Sequence, residues 1–421
     1  MVNLQGKKIL ILGATEHSRH IIDVAKKWGI YTIVTDYVKG SPAKAYADKA
    51  YDISTLDVDA LISLCREEKI DGVLPGYVDI NLVPYYKVCQ ALHLPFYLNE
   101  DQFNETMNKN NFKKNCRKFG LHAARDIDTD TYLHHAEEIS YPIIIKPADS
   151  YSSKGITVCE KPEDLPKALD IAMQFSTCKE IVVEEFIVGD DVYLYFTVQD
   201  GVLSLSAMAD RLLNNDQPGF APQPVGYFFP SKYIDIYYEK VHDKLQKMVD
   251  HLGLKNCSFF MQGFAVEDNI IFFEMGLRLS GGCGYLQIRH QNEIDQVEMH
   301  IQYAITGKFG SKKLTEYDNA RFAKPACVVV VLLNDGEIKE INGLDQIEND
   351  PSCFHILQLR HKGDVLSAKG TLNQVFARIY LCNNTVEELD KSIKNIKKSL
   401  TIIDTDGNNM IMNLFDESKV Y

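Results

Sequence analysis

Short apolar runs alternate with stretches of helical periodicity through the first part of the chain. Residues 8–12 read as a buried strand that Gly13 turns. Residues 18–28 then place Ile21, Ile22, Val24 and Ala25 at helical spacing before Gly29 stops them. A second strand over 31–35 ends at Asp36. It is followed by a helix over 56–68, a strand over 72–74 and a helix over 82–92. Strands and helices in alternation predict a parallel α/β sheet. Its ligand crevice would lie at the carboxyl ends of the strands, near Gly13, Ala14, Asp36, Gly76 and Asp79. The loop GATEHSRH lacks the glycine spacing that lets backbone approach a pyrophosphate, which argues against a nicotinamide cofactor.

The pattern changes after a boundary near residues 96–99. A polar helix is predicted over 100–119, with Lys109, Lys113, Lys114, Arg117 and Lys118 mostly on a solvated face. Next, Tyr141-Pro142 and three isoleucines deliver Lys146 to a strand end. The following ADSYSSKGI offers small residues whose donors can cradle phosphate. After a helix over 162–175 come a strand over 180–183, the segment EEFIVGDD and further strands over 192–198 and 203–209. Asp210-Arg211 opens a Pro/Gly-rich stretch over 214–230 that reads as a substrate loop or lid. A helix over 236–252 precedes the most apolar hairpin of the chain. A helical stretch over 291–306 then leads to a linker over 311–321 and a small α+β unit, with strands over 327–333 and 375–381 and a helix over 385–400.

The hairpin carries the chemistry. Its strands, 258–266 and 270–275, flank Glu267, Asp268 and Asn269, which read as a three-residue loop with Asn in the left-handed position. Such a loop sets Val266 opposite Ile270 and Gln262 opposite Glu274 on one face. Two oxygen-bearing side chains on facing strands, with Arg278 four residues further, suit a hard cation bridging phosphate oxygens. A solvated sheet face would look the same on this stretch alone.

Composition narrows the class. With 421 residues the chain divides into several domains, and 45 basic against 58 acidic side chains disfavour a general nucleic-acid binder. Any anion site must therefore be built locally. Ten cysteines stand singly with no C-x-x-C pair, so neither a zinc site nor a disulfide framework is expected. No secretory leader and no long apolar run is evident, and the expectation is a cytoplasmic protein with no membrane partner.

Lys109, Lys146, the loop 150–155, EEFIVGDD, Gln262 and Glu274 stand in an order and spacing that resembles the ATP-grasp superfamily, in its carbamoyl-phosphate synthetase, biotin carboxylase and amino-acid ligase branches. The resemblance implies a pre-ATP-grasp parallel α/β domain over 1–96 and an ATP-grasp domain over 97–310 with a lid at about 124–189. A C-terminal α+β domain would cover 311–421. It also implies roles. Lys109 and Lys146 would contact nucleotide phosphates under a loop containing Ser152, Ser153 and Gly155. Glu184, Glu185, Phe186 and Ile187 would form the adenine hinge, and Asp191 would stand at the ribose position. Gln262 and Glu274 would hold Mg2+, with Mn2+ as an alternative. Gly276 departs from the family's E-x-N-x-R ending, which weakens a second metal site.

The implied activity is an ATP-dependent carboxylate-amine ligase acting on small molecules through an acyl-phosphate, with Lys146, Glu274 and Arg278 catalytic. Arg211, Arg278, Ser280, Gly281 and Gly282 would meet substrate, and His17, Asp36, Asp79, Arg289 and His290 are further candidates. The alternatives are a carbamoyl-phosphate synthetase-like or purine-pathway ligase and a non-catalytic ATP-binding module. A homodimer is common among proteins of this kind.

Overall fold

The first apolar run becomes the strand Lys8–Leu12, buried from Ile9 onward between parallel neighbours Tyr31–Thr35 and Gly72–Leu74. Lys49–Tyr51, which the hydrophobic pattern does not announce, completes this four-stranded sheet on the far side of Tyr31–Thr35. Asn81 ties the strand ends together, donating from Nδ2 to Leu12 O at 3.0 Å and Pro75 O at 2.9 Å. The computed structural model describes residues 3–149, 155–214, 222–367 and 371–412.

A nine-stranded sheet forms the body of the molecule. Its order is Cys353–Gln358, Val375–Cys382, Ala326–Leu332, Gln223–Phe229, Val202–Asn214, Asp190–Gln199, Cys257–Val266, Asn269–Gly276 and His122–Ala123. The strands after residue 310 thus hydrogen-bond into the same sheet as those before it. Phe229 pairs with Ala326, and Gly226 with Val329. Alternation along these strands sorts the side chains into two layers. Val192, Leu194, Phe196, Met208, Phe259 and Met261 enter one core, while Tyr193, Tyr195, Ala207, Ala209, Tyr227 and Phe260 enter the other. The tyrosine-rich layer is the one that faces the site.

A separate antiparallel sheet of Thr157–Cys159, Ile143–Pro147 and Ile181–Glu185 packs against the helix Leu165–Phe175. It has its own small core of Ile143, Ile145, Cys159, Leu165, Ala168, Ala172 and Val183.

Two expectations change. The polar helix over 100–119 is two helices, Glu100–Met107 and Lys109–Lys118, broken at Asn108, which has a ψ of 121°. The Asn108 side chain accepts from the N–H groups of Asn110 and Asn111 at 3.0 and 3.2 Å, so it caps a new helix rather than continuing the old one. The stretch over 214–230 is not a loop throughout. Gln223–Phe229 is an inner strand, with Pro224 accommodated beside a register shift at Leu212/Leu213. Residues 215–221 lie outside the described residues. All ten cysteines are free, and among the described residues no helix is long and apolar enough to cross a membrane.

Candidate functional site

The hairpin delivers its polar pair by a route the sequence does not show. Its turn holds two residues, not three: Val266 faces Asn269 and Ala265 faces Ile270. Glu267, with φ of +52°, takes the left-handed position expected of Asn269. A plain two-residue turn would set Gln262 opposite Phe273. A register shift between Gln262 and Gly263 inserts one extra residue on the second strand, and Gln262 faces Glu274 after all. Gln262 Nε2 donates to Glu274 Oε2 at 3.2 Å.

Behind this pair lies a buried chain of charges. Lys146, on Ile143–Pro147, donates to one carboxylate oxygen of Glu184. Lys113 donates to the other oxygen at 2.8 Å and also to Asp126, which Arg117 holds at 2.7 Å. Lys113, Lys146 and Glu184 are 1, 6 and 2 % exposed, so the network sits where an unpaired charge would be costly. Burial alone would raise the Glu184 carboxyl, but the charges and hydrogen bonds of Lys146 and Lys113 outweigh it and hold the group below the ordinary range. The expectation that Lys113 is solvated is therefore wrong. Lys109, Phe112, Lys113 and Cys116 are all buried, and their spacing of three, four and seven is one face of a helix.

Lys109 joins this network to the hairpin. Its N–H donates to Ala148 O at 3.2 Å, fixing the helix start beside the strand that carries Lys146. Burial pulls the ammonium below its usual range, as does Lys146, while Glu274, Glu184 and Asp149 oppose them. Lys109, Lys146 and Glu274 are thus within electrostatic reach of one another.

At the edge of the phosphate-loop candidate, Gly155 has φ of +75°, and a Cβ there would lie 2.8 Å from Phe175 Cβ and 2.9 Å from Pro147 Cγ. Ser152 and Ser153 lie outside the described residues. Of the hinge residues, Glu184 is committed to the lysines. Glu185 exchanges hydrogen bonds with the Arg125 backbone, and Phe186 is 40 % exposed just past the strand end.

Arg211 and Asp191, expected to meet substrate and ribose, meet each other. Arg211 Nε and Nη2 donate to Asp191 Oδ1 and Oδ2 at 2.8 and 2.6 Å. Arg278 does the same across 199 residues, donating from Nε and Nη2 to Asp79 at 2.7 and 2.6 Å, with its guanidinium 5.2 Å from the Phe260 ring centre. The strand-end carboxylate of the first sheet is thereby tied to the hairpin.

In the turn after Arg278, Ser280 Oγ lies 2.9 Å from Tyr193 Oη and accepts from Gly282 N–H at 3.1 Å. The Gly282 donor is thus turned inward rather than toward a ligand. Burial, with Arg378 and Arg278 nearby, lowers the His17 pKa to about 4, against an opposing effect of the Gly281 backbone. The other candidates hold local structure. Asp36 accepts from Ala14 and Val38 N–H groups, Arg289 pairs with Asp295 at 3.3 Å, and His290 stacks on Phe354 at 4.1 Å.

A carboxylate and a carboxamide on facing strands, backed by two buried ammonium groups, are a donor set that fits one hard cation carrying phosphate oxygens. The departure at Gly276 has a steric cause. A Cβ there would stand 2.1 Å from Phe260 Cζ, so the ring fills the room an Asn would need.

Comparison with known proteins bears on the family and the fold. Residues 139–285 match the model of the ATP-grasp domain, and residues 9–82 match that of the PylC-like N-terminal domain. A formate-dependent phosphoribosylglycinamide formyltransferase of Francisella tularensis subsp. tularensis (strain WY96-3418) is 26 % identical over 362 residues, covering 82 % of this chain and 87 % of that enzyme. The enzyme of the same name from Bacillus subtilis (strain 168) is 26 % identical over 311 residues, covering 72 % and 78 %. In fold, the chain is similar to phosphoribosylglycinamide synthetase from Anaerococcus prevotii, with TM-score 0.74, 20 % identity, and 95 % and 100 % of the two chains covered. It is also similar to L-amino acid ligase from Bacillus licheniformis, with TM-score 0.77, 17 % identity, and 95 % and 99 % covered.

Proposed function

Because the chain is an ATP-grasp superfamily protein, we propose that it is an ATP-dependent ligase joining a small carboxylic acid to an amine, with ADP and phosphate as products. A carboxylate resists attack at neutral pH. ATP supplies a phosphoryl group that turns it into an acyl-phosphate, from which phosphate leaves when the amine attacks. Mg2+ neutralises charge on the phosphates when bound. Glu274 and Gln262 would hold the cation from facing strands, and Lys109 and Lys146 would hold the phosphate oxygens. Glu184 holds Lys146 in place while the nucleotide is absent, and Arg278, oriented by Asp79, would stabilise charge on the transferred group. Ser152, Ser153 and Gly155 would cover the phosphates, with Phe186 and Ile187 against the base.

The observation that carries this reading is the convergence of buried Lys109 and Lys146 and half-buried Glu274, from three separate segments, into one electrostatic cluster. The experiment is ADP release with Mg2+ and ATP across pools of acids and amines. Signal that needs one acid and one amine together supports the ligase; nucleotide binding without ADP from any pool rejects it in favour of a non-catalytic binder. A second reading, a purine-pathway ligase, is favoured by relatives whose names couple formate to phosphoribosylglycinamide. Incorporation of labelled formate distinguishes it.

A further inference from the structure

The nine-stranded sheet ends in an open edge. Cys353–Gln358 pairs with Val375–Cys382 on one side, and on the other it has no strand beside it among the described residues. Leu359 N–H donates to Phe376 O at 2.7 Å, and Cys382 N–H donates to Ser352 O at 2.9 Å. Alternation along an antiparallel ladder then turns the backbone groups of His355 and Leu357 toward Val375–Cys382 and those of Ile356 and Gln358 away from it. No backbone group of Ile356 or Gln358 meets a partner outside the sheet among the described residues. A bare edge is a template for another strand, and proteins usually blunt it with lysine, proline or a covering segment. CFHILQ has neither lysine nor proline. Its one irregularity, a register shift between Cys353 and His355, leaves Ile356 to Gln358 in regular pairing.

A cavity of about 440 Å³ runs along this edge. Successive residues of a strand point to opposite faces, so a cavity over one face would be lined by every second residue. All six residues of Cys353–Gln358 line this one, which places it beside the edge rather than above either face. The helix Ser18–Lys27 and the residues leading into it form the facing wall through Glu16, His20 and Asp23, and the short helix Leu344–Glu348 closes a third side. His17 and Cys283 set one end of the cavity beside the turn over 280–283. The walls call for no ion. Arg19 is matched by Glu16 at 3.6 Å and Asp23 at 3.8 Å, and His17 and His20, each lowered by burial to about 4, are neutral at pH 7. What the cavity leaves unanswered is backbone donors and acceptors. A second copy of the chain would bring a whole sheet behind its own edge, whereas a single extended segment fits a space of this size.

We propose that the free edge of Cys353–Gln358 is a peptide site, in which a short extended peptide lies as an added strand, hydrogen-bonded to the backbone of Ile356 and Gln358, with one end at the turn over 280–283. This deepens the ligase reading by making one of the two substrates a short peptide, and it rests on that reading for the word substrate; the docking itself is tested without turnover.

The full chain is titrated with an equimolar pool of tripeptides, and separately with the same pool N-methylated at its amides, while hydrogen exchange is followed by mass spectrometry in wild type, Gln358→Ala and Gln358→Pro. Proline removes an outward N–H that an edge strand can spare, and alanine removes the side chain alone. The tripeptide pool should slow exchange over residues 353–359 several-fold and saturably in wild type and in Gln358→Ala, and the N-methylated pool should not. Binding to Gln358→Pro should be roughly tenfold weaker, through the loss of one hydrogen bond. The proposal is overturned if the pool leaves exchange unchanged, if the N-methylated pool protects equally, or if folded Gln358→Pro binds as wild type does. Should Gln358→Pro fail to fold, the N-methylated pool decides alone. Protection already present without peptide also overturns it: a dependence on protein concentration assigns the edge to a second copy, and its absence assigns the edge to a segment of the chain itself. Peptide protection with no ADP release from any acid and amine pool would count against the ligase and leave the site standing, while ADP release with a non-peptide pair and no protection by peptides would do the reverse.

Discussion

Gly276 and Phe260 form a cross-strand pair in which the ring occupies the space above the glycine. Replacing Gly276 by Ala puts a Cβ 2.1 Å from Phe260 Cζ and 2.4 Å from Cε1, where ordinary contact begins near 3.4 Å. The ring must withdraw by roughly an ångström, and it is not free to do so cheaply. It stacks on Tyr193 at 5.1 Å and lies under the Arg278 guanidinium. Overpacking of this kind costs about 1–3 kcal/mol. Urea denaturation of Gly276→Ala should show that loss. Phe260→Leu alone should also destabilise, by the lost burial and the space left behind. The double variant should be more stable than the sum predicts, by about 0.5–3 kcal/mol, because the second change relieves the first. A neutral Gly276→Ala that adds simply to Phe260→Leu would refute the steric account of this departure from the family motif.

Further outcomes follow from the buried charges. Glu184→Gln leaves Lys146 and Lys113 without their shared carboxylate and should cost about 3–5 kcal/mol in denaturant titration; because the native Glu184 carboxyl titrates below its ordinary 4.5, the stability it lends is complete above that pH and is lost as pH falls beneath it. His300 is fully buried between Tyr97 and Phe309 with its pKa lowered from 6.5 to about 3, so it favours folding above pH 6.5 and loses up to about 4 kcal/mol as pH falls toward 3. His300→Phe should flatten that part of the stability profile without loss at pH 7, and an unchanged slope would refute the assignment. Asp79→Asn should destabilise by a few kcal/mol through the orphaned Arg278 and lower kcat more than it raises KM; unchanged kinetics would remove Arg278 from the chemistry.

Much of the first sheet was legible because buried strands and amphipathic helices impose distinct periods, and the facing of Gln262 and Glu274 was legible too. The route to that facing was not. A turn one residue shorter than expected and a bulge one residue longer cancel, and no local preference at Phe273 announces the bulge. Lys113 shares the helical spacing of Lys109 and Phe112, but a charged side chain ordinarily predicts exposure. The pairing of Arg211 with Asp191 and of Arg278 with Asp79 depends on which strands become neighbours, which no stretch of sequence states by itself.

The most direct test of the ligase reading is ADP release with Mg2+ and ATP over acid and amine pools, in wild type and in folded Lys146→Ala and Glu274→Ala variants. The account predicts ADP and phosphate in equal amounts, dependent on one acid and one amine and abolished in both variants. Equal turnover in wild type and variants, or ATP binding with no ADP from any pool, would contradict it.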